Sequence, residues 1–502
     1  MSKTALVPLA TAVAVGLTLL FPAASIASPR GAEALPAAQS APAAAPVITP
    51  FPDGVTRLSA ADRYGVSVEI SRRYEPGVPV AYVAKGSDFP DALSAAAAAA
   101  LEGGPLLLTP TNQLHPSVRA ELQRLRPERI VVVGGPGSVA SGVEAQLAGI
   151  APTTRRGGTD RYDASRNISR AAFEGVGPSS EVMIATGRTF ADALAASGAA
   201  GKVGAPVILV DGTRATLPPA TLALLRDLGT SVVSIAGGPA SVSTGIENQF
   251  RAEGYSVRRF GGADRYAVAA GINAAYFGTG AATAFFATGI TFPDALSGAA
   301  LAGRLGAPLY VTAPACLPES VRTGSAALGI TSRVVLGGTA SVTATAAAGT
   351  GCLSSATPWI TGTARVGYTL QAAPGSWTPG TVFTYQWLAN GVAISGATGP
   401  TLSVTTSYVN KTLSVRVTGS QPGYTTVARA AAATPRVPYP DRTAPATVST
   451  CPSWAPIKGN RNSRGEWIYH LPSGRDYAKT DPEDCFRTEA AARAAGYRAS
   501  KV

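Results

Sequence analysis

The sequence predicts three tandem α/β repeats with parallel sheets, then an all-β sandwich, then a small disulfide-closed α+β module. Three observations lead there. First, Gly86-Ser87-Asp88-Phe89-Pro90-Asp91-Ala92-Leu93 recurs as Gly187-Arg188-Thr189-Phe190-Ala191-Asp192-Ala193-Leu194 and as Gly289-Ile290-Thr291-Phe292-Pro293-Asp294-Ala295-Leu296, at steps of 101 and 102 residues. A near-constant period marks repeated structural units. Second, short continuous apolar runs alternate with helix-like segments inside each period, the pattern of strands buried on both faces. Third, beyond residue 358 the composition turns to Thr, Val, Gly and Ser with period-two alternation, the mark of half-buried strands.

At 502 residues the chain exceeds what one hydrophobic core sustains. Residues 1–27 read as an export signal: Lys3 gives the positive start, Ala5 to Leu20 the apolar region and Ser25-Ile26-Ala27 the cleavage site. An uncleaved anchor is the competing reading, although the 16-residue apolar run is short for a span. Residues 28–54 are largely Pro and Ala, a composition that cannot bury a core and reads as a semi-stiff linker.

Residues 55–155, 156–258 and 259–353 are copies of one unit. Each opens on Asp-Arg-Tyr, at Asp62-Arg63-Tyr64, Asp160-Arg161-Tyr162 and Asp264-Arg265-Tyr266, followed by a helical segment. An apolar strand then leads into the recurring stretch and an alanine-rich helix. A second apolar run follows a proline: Pro105-Leu106-Leu107-Leu108, Pro206-Val207-Ile208-Leu209 and Pro308-Leu309-Tyr310-Val311. A third strand ends in Gly-Gly and continues through Ser-Val to another helix. Strands alternating with helices need crossover connections, hence a parallel sheet covered on both faces.

Residues 358–436 read as the sandwich, with Asn390-Gly391 as a tight hairpin turn and Trp387 as a buried aromatic. Residues 437–450 read as a second linker, and residues 451–502 as the terminal module with a helix from Glu489 to Ala495. In an exported chain the four cysteines face an oxidising compartment. They fall as two local couples, Cys316 with Cys352 and Cys451 with Cys485, the pairings expected among three connectivities. Cys451 and Cys485 could instead hold zinc with His470, but gaps of 18 and 14 residues match no compact metal motif, and no metal is expected.

The net charge of +12 is spread out. Residues 55–350 carry 25 basic against 21 acidic side chains, residues 358–436 carry 5 against none, and residues 441–502 carry 10 against 7. With no dense basic arm, the excess suits weak attraction to an anionic surface better than groove-reading of nucleic acid. The chain has only His115 and His470, and the repeats hold no Gly-x-Ser-x-Gly elbow or His-Glu-x-x-His pair. Nucleophilic and zinc-hydrolase chemistry therefore lack their parts. His115, ahead of Pro116, reads as a helix-start or surface residue.

Asp91, Asp192 and Asp294 stand at strand-to-helix junctions, where open α/β sheets place ligands; the plainer reading is a helix cap. Their threefold repetition favours scaffold or multivalent binding over catalysis. Arg63, Arg161 and Arg265 suit phosphate or carboxylate, or lock the units together with the adjacent Asp. The pairs Gly134-Gly135, Gly237-Gly238 and Gly337-Gly338 could turn N–H groups to an anion. None belongs to a dinucleotide fingerprint, and no cofactor is expected. Asn410-Lys411-Thr412 matches a glycosylation acceptor, a pattern short enough to arise by chance.

Together, the tripled Asp-Arg-Tyr, Phe-x-Asp-Ala-Leu, Pro-apolar and Gly-Gly pattern, from residue 56 to about 348, resembles the type 2 cell wall-binding repeat family of Gram-positive bacteria. The resemblance implies a pseudo-threefold assembly of Toprim-like domains that anchors exported proteins non-covalently to an anionic secondary wall polymer, teichoic-acid-like or an acidic polysaccharide. It also implies an anchoring role for the runs at Pro105, Pro206 and Pro308. This chain departs from the family pattern at Tyr310 and Val311, and Ala60-Ala61 stands where Gly-Gly precedes the other two triplets. Residues 358–436 resemble bacterial Ig-like spacers through Gly375-Ser376-Trp377 and Tyr385-Gln386-Trp387. The tail is similar to a small module appended to secreted thermonuclease-like proteins, through Ile457-Lys458-Gly459-Asn460 and Trp467-Ile468-Tyr469-His470, with no nuclease domain beside it.

The expectation is a secreted, non-enzymatic cell-surface protein. Its polymer contacts fall on Arg63, Arg161, Arg265, Asp91, Asp192, Asp294 and the three proline-led runs. A wall-acting amidase or glycosidase with an unrecognised site is the alternative. A third reading is a tail that binds nucleic acid through Lys458, Arg461, Arg464 and Arg475.

Overall fold

The computed structural model describes residues 46–174 and 176–501; the expected signal, and the first linker as far as residue 45, lie outside the described residues. The first repeat runs β1 (Gly54–Leu58), α1 (Arg63–Ser71), β2 (Ala81–Lys85), α2 (Pro90–Glu102), β3 (Leu106–Thr109), α3 (Pro116–Leu125), β4 (Ile130–Val133) and α4 (Ser141–Ala148). The second follows the same order as β5 (Thr153–Arg156), α5 (Arg161–Phe173), β6 (Glu181–Thr186), α6 (Ala191–Val203), β7 (Val207–Val210), α7 (Pro219–Asp227), β8 (Val232–Ala236) and α8 (Thr244–Ala252). The third is β9 (Ser256–Phe260), α9 (Arg265–Phe277), β10 (Thr283–Thr288), α10 (Pro293–Arg304), β11 (Leu309–Thr312), α11 (Glu319–Ala327), β12 (Ser332–Leu336) and α12 (Ala344–Ala347).

All three sheets are parallel, and each takes its last strand from a neighbour. Their orders are β3-β2-β4-β5, β7-β6-β8-β9 and β11-β10-β12-β1. The strand that opens repeat 2 completes the sheet of repeat 1, and the strand that opens repeat 3 completes that of repeat 2. Strand β1 returns to complete repeat 3, with Gly54 opposite Ser332 and Leu58 opposite Leu336. The repeats therefore close into a ring, and buried residues of all three form one continuous core.

Helices α2, α6 and α10 run through the middle of that ring, which explains their composition. Ala95 to Ala99 are buried, as are Ala195, Ala196, Ala199 and Ala200. Nine residues after Asp91, Asp192 and Asp294 come Ala100, Gly201 and Gly303, and there the helices nearly touch. A Cβ on Gly201 would lie 2.3 Å from the Gly303 Cα, and one on Gly303 would lie 3.0 Å from the Ala100 Cβ. Small side chains permit this approach, and alanine permits it without loss of helix propensity.

The chain then forms β13 (Trp359–Thr361), β14 (Thr369–Ala373), β15 (Val382–Ala389), β16 (Val392–Ala393), β17 (Thr401–Ser403), β18 (Leu413–Ser420) and β19 (Val427–Ala430). They make two antiparallel sheets, β13-β14-β17 and β16-β15-β18-β19, around one core of Leu370, Leu402, Trp387, Val415 and Val417. Asn390 and Gly391 turn β15 into β16 with φ of 48° and 81°, the left-handed pair that a two-residue hairpin requires. Trp387 is fully buried and satisfies its Nε1–H on the Gly399 carbonyl at 3.0 Å.

Both expected disulfides form, Cys316 to Cys352 and Cys451 to Cys485. The tail is a five-stranded sheet of β20 (Arg442–Thr443), β21 (Ile457–Arg461), β22 (Trp467–His470), β23 (Asp484–Phe486) and β24 (Arg498–Ala499), with α13 (Glu489–Ala494). The stretch read as a second linker, 437–450, supplies β20 to this sheet. Its Tyr439 stacks on Trp454 at 4.7 Å between ring centroids.

The close helix crossing makes a stability prediction. Gly201→Val drives a branched side chain into the Gly303 backbone and should cost about 3 kcal/mol. Gly142→Ala, where a Cβ meets nothing within 4 Å, should instead gain about 0.5–1 kcal/mol. Chemical denaturation followed by circular dichroism measures both; equal responses would contradict a packed axis.

Candidate functional site: clefts around a phenylalanine rosette

The recurring stretch carries each repeat into the N-terminal end of its central helix, and the three ends meet. Phe89, Phe190 and Phe292 occupy the N-cap positions and touch one another, with ring centroids 5.9, 5.6 and 5.7 Å apart. Aromatic pairs at this spacing stabilise beyond the area they bury. The sequence reading assigned these rings no role; their presence in all three copies was the available signal.

The Asp-Arg-Tyr triplet holds the stretch in place. A Cβ on Gly86, Gly187 or Gly289 would lie 2.7, 2.7 or 2.8 Å from the ring of Tyr64, Tyr162 or Tyr266, so the opening residue must be glycine. The Nη1 of Arg63 and of Arg161 donates to the carbonyls of Gly86 and Gly187 at 2.8 Å, and Arg265 does the same to Gly289. The triplet aspartates cap their own helices: Asp62 accepts from the Gly65 N–H, Asp160 from Tyr162 and Asp163, Asp264 from Tyr266 and Ala267. A joint Asp–Arg lock across units is thereby corrected, because each triplet aspartate is spent on N–H groups of its own helix. The guanidinium of Arg161 lies 5.9 Å from the Phe89 ring centroid and that of Arg265 lies 5.7 Å from that of Phe190.

Asp91, Asp192 and Asp294 sit in the first turn, two residues past the cap, so the cap reading is corrected too. Each carboxylate accepts a serine hydroxyl: Ser138 at 2.6 Å, Ser241 at 3.0 Å and Ser341 at 3.0 Å. These serines stand four residues after the first glycine of each Gly-Gly pair. That glycine, with φ of 87°, 106° or 91°, must be glycine on two counts, since a Cβ would also lie 2.2, 2.5 or 2.1 Å from the carboxylate oxygen. Its N–H is not turned to an anion; Gly134, Gly237 and Gly337 donate to the carbonyls of Arg156, Phe260 and Leu58 on the borrowed strand. Their carbonyls accept from Arg155, Arg259 and Arg57 at 2.8, 2.9 and 2.8 Å. These arginines, each five residues before a triplet aspartate, were passed over in the sequence. The same spacing places Ser59-Ala60, rather than Ala60-Ala61, opposite Gly157-Gly158 and Gly261-Gly262.

Clefts open between the repeats. One of about 270 Å³ has Asp91 and Ser138 of repeat 1 on one wall and Asp160 and Arg161 of repeat 2 on the other. Another of about 490 Å³ sets Asp192 and Ser241 against Asp264 and Arg265. Burial pushes the carboxyls of Asp192 and Asp294 above the ordinary aspartate range. The serine hydrogen bonds, and the facing Arg265 and Arg63, pull them part of the way back. Asp294 and Arg63 thus stand in the same relation across the boundary where the ring closes.

The proline-led runs lie elsewhere. Pro105, Leu106, Leu107 and Leu108, Pro206, Val207, Ile208 and Leu209, and Pro308 and Leu309 are all buried. Strands β3, β7 and β11 lie under α10, α2 and α6 of the adjacent repeats. Direct polymer contact by these side chains is corrected to a role in joining the repeats. Tyr310, the departure in the third run, stacks on Phe286 at 5.5 Å. His115 stacks on Tyr64 at 4.9 Å and bonds Ser117 through Nδ1.

In the tail, Cys485, Lys458 and His470 lie side by side on three neighbouring strands. The disulfide takes two of the three residues considered for zinc, and in the sheet register Lys458 lies between Cys485 and His470. Lys458 is itself buried, donating to the Tyr477 and Thr480 carbonyls at 2.9 and 3.0 Å. It is therefore withdrawn from any nucleic-acid surface, which would rest on Arg461, Arg464 and Arg475.

The raised carboxyl of Asp192 fixes a pH response. Its folded pKa lies above its unfolded one, so folding favours the protonated form, and stability falls as pH rises through the window above the ordinary aspartate range. Asp192→Asn, which keeps an acceptor for Ser241, should be more stable than the parent at pH 7. The difference should shrink towards pH 4, and denaturant titrations at the two pH values measure it.

Residues 57–144, 155–247 and 259–347 match the family described as Cell wall binding domain 2 (CWB2), and residues 436–499 match that described as ArfC. The chain is 28% identical over 291 residues to N-acetylmuramoyl-L-alanine amidase LytC of Bacillus subtilis (strain 168), covering 58% of this chain and 56% of the amidase. It is 27% identical over 267 residues to the Amidase enhancer of the same organism, covering 53% and 36%. The match thus spans little more than half of one relative and about a third of the other. In three dimensions it resembles Cwp6 from Clostridium difficile, with a TM-score of 0.56 and 24% identity over 60% of this chain and 48% of that one, a likeness of fold. Cwp8 from the same organism gives 0.52 and 26% over 57% and 49%. Among the described residues no helix is long and apolar enough to cross a membrane. With more than half of its length in three matched segments, the chain belongs to the cell wall binding domain 2 family and associates with the cell wall through three tandem repeats.

Proposed function

We propose that this is an exported, non-enzymatic protein held to an anionic wall polymer by the clefts around the phenylalanine rosette. The observation that carries the reading is the repetition of one Asp–Ser and Asp–Arg cleft around a single closed ring. Sites on one rigid block that face a repeating polymer gain strongly in avidity, even when each is weak. A guanidinium at each boundary suits phosphate or carboxylate groups of such a polymer, and the net charge of +12 favours its approach. The repeats are then Toprim-like units, the two-sheet region an Ig-like spacer, and the tail a displayed module akin to that of secreted thermonuclease-like proteins.

A wall-acting amidase is the second reading, favoured by the name of one relative. The likeness to that relative falls on the binding repeats, so it speaks for attachment rather than hydrolysis.

Full-length protein incubated with intact wall sacculi, and with sacculi stripped of acidic polymers, tests the proposal. Binding should fall at least about tenfold on stripping, as expected when several weak contacts are lost together, and no wall fragments should be released. Equal binding to both preparations would refute the polymer reading; fragment release would establish the enzymatic one.

A further inference from the structure

The three copies of the recurring stretch are identical, or nearly so, where they build the ring, and they differ at two positions that do not. Those positions are Ser87-Asp88, Arg188-Thr189 and Ile290-Thr291, and all six side chains are exposed. Asp88 lines the cleft between repeats 1 and 2, and Arg188 and Thr189 line the one between repeats 2 and 3. The pair therefore contributes one negative charge to the first cleft, one positive charge to the second and none at the third boundary.

Added to the groups that every boundary shares, this makes the clefts unlike. Between repeats 1 and 2, Asp88, Asp91 and Asp160 face the single guanidinium of Arg161. Between repeats 2 and 3, Arg188 and Arg265 balance Asp192 and Asp264, in a cavity of about 490 Å³ against about 270 Å³. Asp160 and Asp264 are each committed to two helix N–H groups, so the difference between the clefts rests on Asp88 against Arg188. The Arg188 side chain is 59% exposed and pairs with Asp211 at 3.7 Å, a carboxylate that Arg214 also approaches at 3.4 Å, so one negative charge is shared between two guanidiniums and Arg188 is only partly neutralised.

We propose that the cleft between repeats 2 and 3 is the anion-selective subsite of the ring, that Arg188 determines its specificity, and that Asp88 sets the cleft between repeats 1 and 2 against polyanions. The inference rests on the polymer reading above. It replaces three equivalent sites with one dominant site and weaker neighbours.

The test uses the full-length chain, a glycerol-phosphate oligomer as probe and a dextran oligomer of similar length as the neutral control, with affinity measured by calorimetry. Arg188→Ser should weaken binding about tenfold, the loss of one charge-assisted contact. Asp88→Ser should strengthen it several-fold. Arg72→Ser removes the same charge from a side chain that pairs with Glu69 away from the clefts, and should change affinity less than about twofold. Equal weakening by Arg188→Ser and Arg72→Ser, or weakening by Asp88→Ser, would overturn the assignment while leaving polymer binding intact. A parent chain that ignores the oligomer, or binds dextran equally well, would overturn the polymer reading itself.

Discussion

Strand β1 pairs with β12 across some 280 residues of chain, Thr56 beside Val334 and Arg57 beside Val335, and the rest of the repeat block depends on that pairing. Each sheet is completed by the strand that opens the next repeat, so a linear array would leave repeat 3 with an open edge and β1 without a sheet. Closing the ring satisfies both at once. It also brings Arg57 to the Gly337 carbonyl and Arg63 to face Asp294, reproducing at the closure the contacts that the other two boundaries make within continuous chain. The entropic cost of so long a loop grows only slowly with length, and one shared core provides the compensating burial.

Closure explains why the recurring residues recur. In a ring, each repeat presents one edge forward and one edge back, so a side chain at a boundary must suit its own copy and its neighbour. Glycine opening the stretch makes room for the triplet tyrosine, phenylalanine meets its two equivalents, and aspartate takes a serine hydroxyl from beyond the Gly-Gly turn. Once these positions are committed, variation is left to exposed pairs such as Arg188-Thr189. Residues that build the ring and residues that tune its clefts are therefore separated within eight consecutive positions.

Much of this was legible in the sequence. The alternation of apolar runs and helical segments predicted three parallel sheets, and Asn390-Gly391 predicted the hairpin. The strand exchange was not legible, because Gly-Val-Thr-Arg-Leu at 54–58 is a weak apolar pattern whose partner lies far along the chain. The runs after Pro105, Pro206 and Pro308 invited a contact role because they are compact and repeated; burial by a helix of the neighbouring repeat is a property of the assembly. Asp91 resembled a cap because the preceding phenylalanine has no capping side chain, and the cap position itself falls on Phe89. Arg155 and its equivalents gave no local signal, since one arginine in a short edge strand is ordinary until its carbonyl partner is known.

The modules beyond the ring are attached firmly, which bears on how a wall-held chain presents its far end. The Cys316–Cys352 disulfide fastens the last repeat to the segment entering the two-sheet region. There Gly351 bridges Leu317 on one side and Tyr424 on the other. The Tyr424 hydroxyl donates to Glu319 at 3.0 Å while Arg322 lies 4.9 Å from its ring centroid. At the next junction Asp441 accepts from Arg365 of the two-sheet region and from Arg487 of the tail. Exposed ion pairs of this kind contribute little singly, but here they act beside a disulfide, a stacked Tyr439–Trp454 pair and a shared strand. Covalent and apolar contacts set the geometry, and the ion pairs refine it. The proline-rich segment that reads as a second linker is therefore folded into the module it joins, and the tail is carried by packed joints.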